Sequence, residues 1–286
     1  MPRGPEDHGV VVIAALDLRR RPDHRAEMTS QLLMGEVVHV LERRRGGLWW
    51  RVENLADGYP GWVRSYGLRP VSRARSRRWL ARARFHVVAP FCQVRSAERG
   101  GHVLTPLFWN ARVIAGRARR GRRPVELPDG RRGWVPVAAL ATGERRCPLI
   151  ERIRDLLGTP YLWGGRTPQG LDCSGLVQQI LAEQGVVLPR DAHDQFLATR
   201  RRIEVEDLGL GDLLFFGRRK ARMEHVALVL GGGYYVHARG VVRVNSIDPD
   251  NPFYDSALNA QLRAFGRTKL GQKARIRRGS KTPEPA

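Results

Sequence analysis

One cysteine has the setting of a nucleophile. Cys173 follows the run PYLWGGRTPQGLD and opens a stretch whose apolar residues Leu176, Val177, Ile180 and Leu181 recur at helical spacing, with Gly185 as a stop. A thiol in the first turn of a helix faces backbone N–H groups that have no intrahelical acceptor. That setting stabilises the thiolate and is expected to lower its pKa toward roughly 3.5–7.5. Burial as a small apolar side chain is the ordinary alternative, and the polar neighbours Asp172, Ser174 and Gly175 argue against it. Cys92 and Cys147 lack such neighbours and read as structural.

A thiol nucleophile needs a base within reach. His225 opens the run HVALVL and His237 lies in YYVHARG, with Gly231, Gly232 and Gly233 between the two runs. If those glycines form a three-residue loop, Leu230 pairs with Tyr234, His225 with Arg239 and His237 with Ala227. The histidines are then diagonal neighbours on one sheet face, roughly 7–8 Å apart at Cα. A two-residue turn puts them on opposite faces instead. The first register supplies a base and an orienting group: His225 takes the thiol proton and His237 fixes its ring. No third and fourth ligand stands at a metal-binding spacing, so neither a metal nor another cofactor is expected. His8, His24, His39, His86, His102 and His193 have no comparable context.

The elements that must hold these groups change character near Cys147. From there on, helical spacing in CPLIERIRDLLG, the Gly-rich turn, the Cys173 helix and the runs GDLLFFG, HVALVL, YYVHARG and VVRVNSI predict an α+β domain with mostly antiparallel strands. Ahead of it, from Val10 to Pro70, about five short β runs are punctuated by Gly, Pro, Asn and Asp, the pattern of a small barrel. The pattern returns from Arg84 to about Thr142 after a segment, Arg73 to Arg84, that reads as a short helix or charged linker. Both stretches close alike, on GWVRSYGLRP and GWVPVAALAT, which predicts an internal repeat. The expected domains are 1–72, 73–145 and 146–267, with a basic disordered tail at 268–286.

The 286 residues carry 50 Lys+Arg against 28 Asp+Glu, a formal net charge of +22. Only four of the basic residues are lysines. Six arginines crowd between Arg73 and Arg84 and eight between Arg112 and Arg132, and the tail from Arg267 to Lys281 has seven basic residues. These are linker, loop and tail positions without a recognisable reading motif, so nucleic acid is not the expected partner. Attraction for an acidic peptide remains. No apolar run approaches the roughly 20 residues that span a bilayer. The apolar stretch Gly9 to Ala15 is followed by Asp17 and arginines where a signal cleavage site would stand, so a cytoplasmic location is expected.

The runs PYLWGGRTPQGLDCSGLV, LPRDAHDQ, GDLLFFG and HVALVLGGGYYVHARG, in that order, resemble the NlpC family of bacterial cell-wall cysteine peptidases over about residues 147–267. The resemblance implies a papain-like core in which Cys173 is the nucleophile, His225 the base and His237 the third, orienting residue. It also implies that Tyr161 and Trp163 line the cleft, with core packing the alternative for Trp163. Arg190 in LPRDA reads as a partner for a substrate carboxylate. A plain salt bridge from Arg190 to Asp191 or Asp194 is the alternative.

The segment from PDHRAEMTSQ to DGYPGWV resembles the bacterial SH3-like domain fused ahead of some of these peptidases. The implied architecture is two small all-β SH3-like barrels followed by the papain-like domain. Peptidases so built are γ-D-glutamyl–diamino acid endopeptidases. They release L-Ala-D-Glu from peptidoglycan stem peptides with a free N-terminal L-alanine, a recycling reaction. The implied amine pocket is Tyr59, Asp172, Ser174 and Glu27, with Tyr59 as a packing residue and Glu27 as a solvated charge for alternatives. Two carboxylates, a hydroxyl and a phenol around an ammonium would form charge-assisted hydrogen bonds. A muropeptide is thus the expected partner. Other readings are an exported wall hydrolase, or a binder of anionic polymer or nucleic acid through the SH3-like repeats and basic tail.

Overall fold

A computed structural model of the chain describes residues 6–143, 147–199, 203–219 and 222–272. The chain divides into two compact units, Met1–Pro148 with Trp163–Gln169, and Leu149–Leu162 with Gly170–Ala286.

The first unit holds two copies of one β topology. Strands β1 (His8–Val11), β2 (Ala15–Arg19), β3 (Met28–Leu33), β4 (Val37–Arg44), β5 (Trp49–Asn54), β6 (Pro60–Arg64) and β7 (Leu68–Val71) pair in the order β3-β2-β6-β5-β4-β1-β7. Strands β8 (Phe85–Val87), β9 (Phe91–Arg95), β10 (Val103–Phe108), β11 (Arg112–Ala115), β12 (Arg122–Glu126), β13 (Arg132–Pro136) and β14 (Leu140–Thr142) follow the same order with seven added to each label. The two GWV runs are the equivalent strands β6 and β13, which bears out the repeat. Each copy has seven strands where about five were expected, because three- and four-residue strands leave little period in the sequence.

Burial follows the strand alternation. Val11, Leu18, Val38, Val52 and Val63 are fully buried in the first core. Each such side chain contributes ~1.5–3 kcal/mol on leaving water. The second core gathers Val94, Leu107, Val113 and Val135 and takes Met34 from the first copy. The charged segment between the copies is helix α1 (Arg73–Arg82), whose Trp79 and Leu80 pack on Val10, Val37 and Val71. Trp79 Nε1 donates to the Gly35 carbonyl at 2.9 Å. The two sheets therefore form one compact unit, although the sequence reads as two separate domains.

The first unit also takes Trp163–Gln169, with the short strand β15 (Arg166–Thr167), from the stretch expected to be wholly catalytic. Arg166 is buried, pairs with Glu36 at 2.9 Å and donates its backbone N–H to Gln31 Oε1 at 3.0 Å.

The second unit is α+β. It comprises α2 (Leu149–Leu156), β16 (Gly170–Leu171), α3 (Cys173–Glu183), α4 (Ala192–Thr199), β17 (Leu213–Phe216), β18 (His225–Gly231), β19 (Tyr234–Arg239), β20 (Val241–Ser246), α5 (Ser256–Asn259) and β21 (Leu262–Gly266). The five longer strands form an antiparallel sheet in the order β20-β19-β18-β17-β21. Helix α3 starts at Cys173 as expected, and its Leu176, Val177, Ile180 and Leu181 are fully buried. It ends where expected: Gly185 N–H donates to Ala182 O at 3.1 Å and Val186 N–H to Leu181 O at 2.8 Å, a Schellman closure.

Helix α4 stands ahead of the strand runs where the sequence reading has no helix, since eight residues give too short a period to read. The first residues of the expected tail are folded onto the second unit. Thr268 and Leu270 are 2% and 9% exposed, and Thr268 Oγ1 donates to Gly211 O at 2.6 Å. The rest of that tail, 273–286, lies outside the described residues. No helix among the described residues is long and apolar enough to cross a membrane.

Candidate active site

Helix α3 presents Cys173 on its first turn. Asp172 is the N-cap, in extended conformation, and its Oδ1 accepts the Gly175 N–H at 2.6 Å. The backbone N–H groups of Ser174 and Val226 both reach the Cys173 sulfur. Val226 follows His225 on β18, so the strand that carries the histidine lies against the thiol.

The hairpin β18–β19 brings the histidines onto one face by a route the sequence reading did not foresee. Its loop is only two residues, Gly232 and Gly233, with φ of +61° and +80°, a turn that glycine enters without strain. Gly231 pairs with Tyr234, but a bulge between Val229 and Gly231 restores the register Val229↔Tyr235 and Leu228↔Val236. The two-residue turn shifts the faces by one and the bulge shifts them back. His225 Nε2 and His237 Nδ1 are consequently 2.9 Å apart.

A third side chain completes the row. On β20, Tyr235 faces Asn245 and His237 faces Arg243, which makes Asn245 the diagonal neighbour of His237. His237 Nε2 is 2.9 Å from Asn245 Oδ1, and Asn245 Nδ2 donates to the Phe253 carbonyl at 2.7 Å. Sequence reading missed Asn245. Register arithmetic carried across the one-residue turn at Gly240, where Arg239 pairs with Val241, would have reached it.

Electrostatics set the resting protonation. Burial first, and the Asp172 carboxylate second, push the Cys173 thiol up to about 12, against the pull of the Val226 and Ser174 N–H groups and Arg190. This reverses the expected direction: the positive helix end is answered by the cap itself, whose negative charge sits beside the sulfur. Burial, then His237 and the arginines Arg239 and Arg243, lower His225 to about 3. Burial lowers His237 to about 4, while its bond to Asn245 pulls the other way. Both shifts favour a thiol and a neutral imidazole at rest. Tyr161, half-buried, is raised above its ordinary value by burial first and also by the Asp172 carboxylate, so its hydroxyl keeps its proton.

Arg190 is tied to the cap of helix α3. It is 1% exposed and forked onto Asp172, with one nitrogen 3.0 Å from Oδ1 and 2.8 Å from Ser174 Oγ and the other on Oδ2. It holds the cap of the nucleophile's helix, with Asp172 as a salt-bridge partner. Ser174 and Asp172 are themselves buried beside it. Gln195 of α4, also unforeseen, donates to the carbonyls of Ser174 at 3.0 Å and Pro189 at 2.9 Å.

The remaining expected residues lie in the first unit. Trp163 Nε1 donates to Glu27 Oε1 at 2.9 Å, and Arg20 pairs with Glu27 at 3.0 Å. Glu27 is thus an exposed charge with two partners. Trp163 is exposed, which sets aside core packing. Tyr59 is half-buried on the first core and lines a concavity of about 830 Å³ with Arg20, Arg44, Arg45, Arg51 and Trp62.

The sequence model of the NlpC/P60 family matches residues 158–263, and that of the bacterial dipeptidyl-peptidase Sh3 domain matches residues 18–68. The gamma-D-glutamyl-L-lysine dipeptidyl-peptidase of Bacillus subtilis is 30% identical over 82% of this chain and 81% of its own length. The chain belongs to the NlpC/P60 family. It is a cysteine peptidase, a hydrolase, with an SH3-like domain of the dipeptidyl-peptidase kind ahead of its NlpC/P60 domain. Dipeptidyl-peptidase 6 of Lysinibacillus sphaericus is 27% identical over 91% of this chain and 98% of its own. The solved structure of an NlpC/P60 family protein from Bacillus cereus matches in fold, with a TM-score of 0.75 at 21% identity over 91% of this chain and 99% of that one.

Proposed function

We propose that this NlpC/P60 peptidase hydrolyses the γ-D-glutamyl–diamino acid bond of peptidoglycan stem peptides that begin with a free L-alanine, releasing L-Ala-D-Glu. The observation that carries the reading is similarity along nearly the whole chain, SH3-like unit included, to a relative named dipeptidyl-peptidase 6. The relative named for γ-D-glutamyl-L-lysine supports the bond type.

In this proposal Cys173 attacks the γ-carbonyl of D-glutamate. Because thiol and imidazole are both neutral at rest, the proton leaves sulfur for His225 as the bond forms, which is general-base catalysis rather than attack by a preformed thiolate. The oxyanion is held by the Cys173 backbone N–H and by the Tyr161 hydroxyl, which stays protonated and so can donate. His225 then protonates the departing amine of the diamino acid, and water opens the thioester. Selection of the free amine is assigned, within the second unit, to Asp172 and Ser174. Arg190 orients Asp172 for this task.

The test compares L-Ala-γ-D-Glu-diaminopimelate with its N-acetyl form and with intact sacculi. Turnover confined to the free-amine peptide is expected, and would fit recycling of wall fragments. Equal turnover of the acetylated peptide would overturn the amine pocket.

A further inference from the structure

We infer that Asn245 is a positioning residue that sets the tautomers of both active-site histidines, reading its own orientation from the Phe253 carbonyl. The inference rests on the reading of His225 as the base. A carbonyl oxygen only accepts, so the Asn245 atom facing Phe253 O at 2.7 Å is the amide NH2, and the atom facing His237 is Oδ1. Asn245 Oδ1 also only accepts. His237 Nε2 therefore carries a hydrogen, and in the neutral ring Nδ1 is left as an acceptor. The contact at 2.9 Å from His237 Nδ1 then requires His225 Nε2 to be the donor. A neutral His225 with its hydrogen on Nε2 has Nδ1 bare, and that is the one ring nitrogen free to take the thiol proton.

The direction of this chain matters for catalysis. Were it reversed, His225 would carry its hydrogen on Nδ1 and could not accept from the thiol there. With the inferred direction, the His225 Nε2–H to His237 Nδ1 bond is the same before and after His225 gains the proton. No hydrogen bond has to turn round during the reaction. His237 is fully buried and Asn245 is 8% exposed, so bulk water is poorly placed to replace either partner.

The test uses the full-length protein with labelled histidines. Long-range nitrogen–carbon-proton NMR spectra between pH 6 and 8 should place the hydrogen on Nε2 in both His225 and His237. Asn245→Leu removes the acceptor, and His237 should then populate both tautomers, with kcat down at least about tenfold and KM little changed. Asn245→Asp keeps an acceptor and should restore the Nε2–H tautomer. Its charge favours protonated His237, which cannot accept from His225, so the acid limb of the rate profile should move to higher pH. Iodoacetamide reactivity of Cys173 should follow the same pattern without any peptide substrate. Failure of the wild-type protein to cleave stem peptide would defeat the substrate reading alone. The inference is overturned by an Nδ1–H His237 in the wild-type spectra, or by Asn245→Leu and Asn245→Asp leaving tautomers and pH profile unchanged. Should Asn245→Leu fail to fold, the wild-type and Asn245→Asp spectra still decide.

Discussion

Arg190 closes a two-point ion pair on Asp172, and the same Asp172 Oδ1 accepts the Gly175 N–H at 2.6 Å. One carboxylate thus caps the helix of the nucleophile and neutralises a fully buried guanidinium. Arg190→Leu should leave the Asp172 charge buried without this counter-ion, at a cost of about 3–5 kcal/mol in urea unfolding. The double variant Asp172→Asn/Arg190→Leu should lose much less than the two singles added together. Simple additivity would show that the pair is not a unit.

Cys173 should behave as a thiol, not as half of an ion pair. Its pKa lies well above the ordinary value, so the reactive thiolate fraction grows with pH throughout the neutral range. The rate of alkylation by iodoacetamide should therefore keep rising between pH 6 and 9. A rate already level at pH 6, accompanied by thiolate absorbance, would contradict the description.

Acid should loosen the second unit before ordinary carboxylates titrate. Folded His225 and His237 titrate near 3 and 4, against 6.5 for the free side chain. Below pH 6.5 the unfolded chain binds protons that the folded chain refuses. The stability from this source is complete above 6.5 and is lost as pH falls toward the folded values. Urea midpoints should drop from pH 6.5 to 5, and His237→Gln should drop less steeply. Parallel slopes for the two proteins would remove the histidines as the cause.

Deleting Gly231 should be tolerated. The bulge exists because a two-residue turn and the histidine register differ by one residue: Leu230 is skipped in the pairing, and removing its neighbour Gly231 lets Leu230 take that place. Without it Leu230 can pair with Tyr234 across Gly232 and Gly233, and the pairing Val229↔Tyr235 is kept. Peptidase activity within a few fold of wild type is expected. Abolished activity in a folded protein would mean that the bulge does more than restore register.

Much of this site was legible because hairpins and helix starts are local. The faces of His225 and His237 followed from a short stretch of chain, although the turn beneath them was misjudged and the bulge supplied the compensation. The repeat in the first unit was legible from two GWV runs, but the count of strands was not. Partners joined only by folding gave no sequence signal. Arg190 reaches Asp172 across 18 positions, and Arg166 reaches Glu36 across 130. The direction of the Cys173 shift was out of reach for the same reason: burial and the Asp172 charge outweigh the helix end, and neither is a property of spacing.

The central claim is that Cys173 opens the bond after D-glutamate. Incubate L-Ala-γ-D-Glu-diaminopimelate and its lysine counterpart with the wild-type protein and with Cys173→Ala, and follow the products by mass. The account predicts L-Ala-D-Glu and the free diamino acid from the wild type, and intact peptide from the variant. Release of L-Ala-D-Glu by Cys173→Ala, or cleavage by the wild type at any other bond, would contradict it.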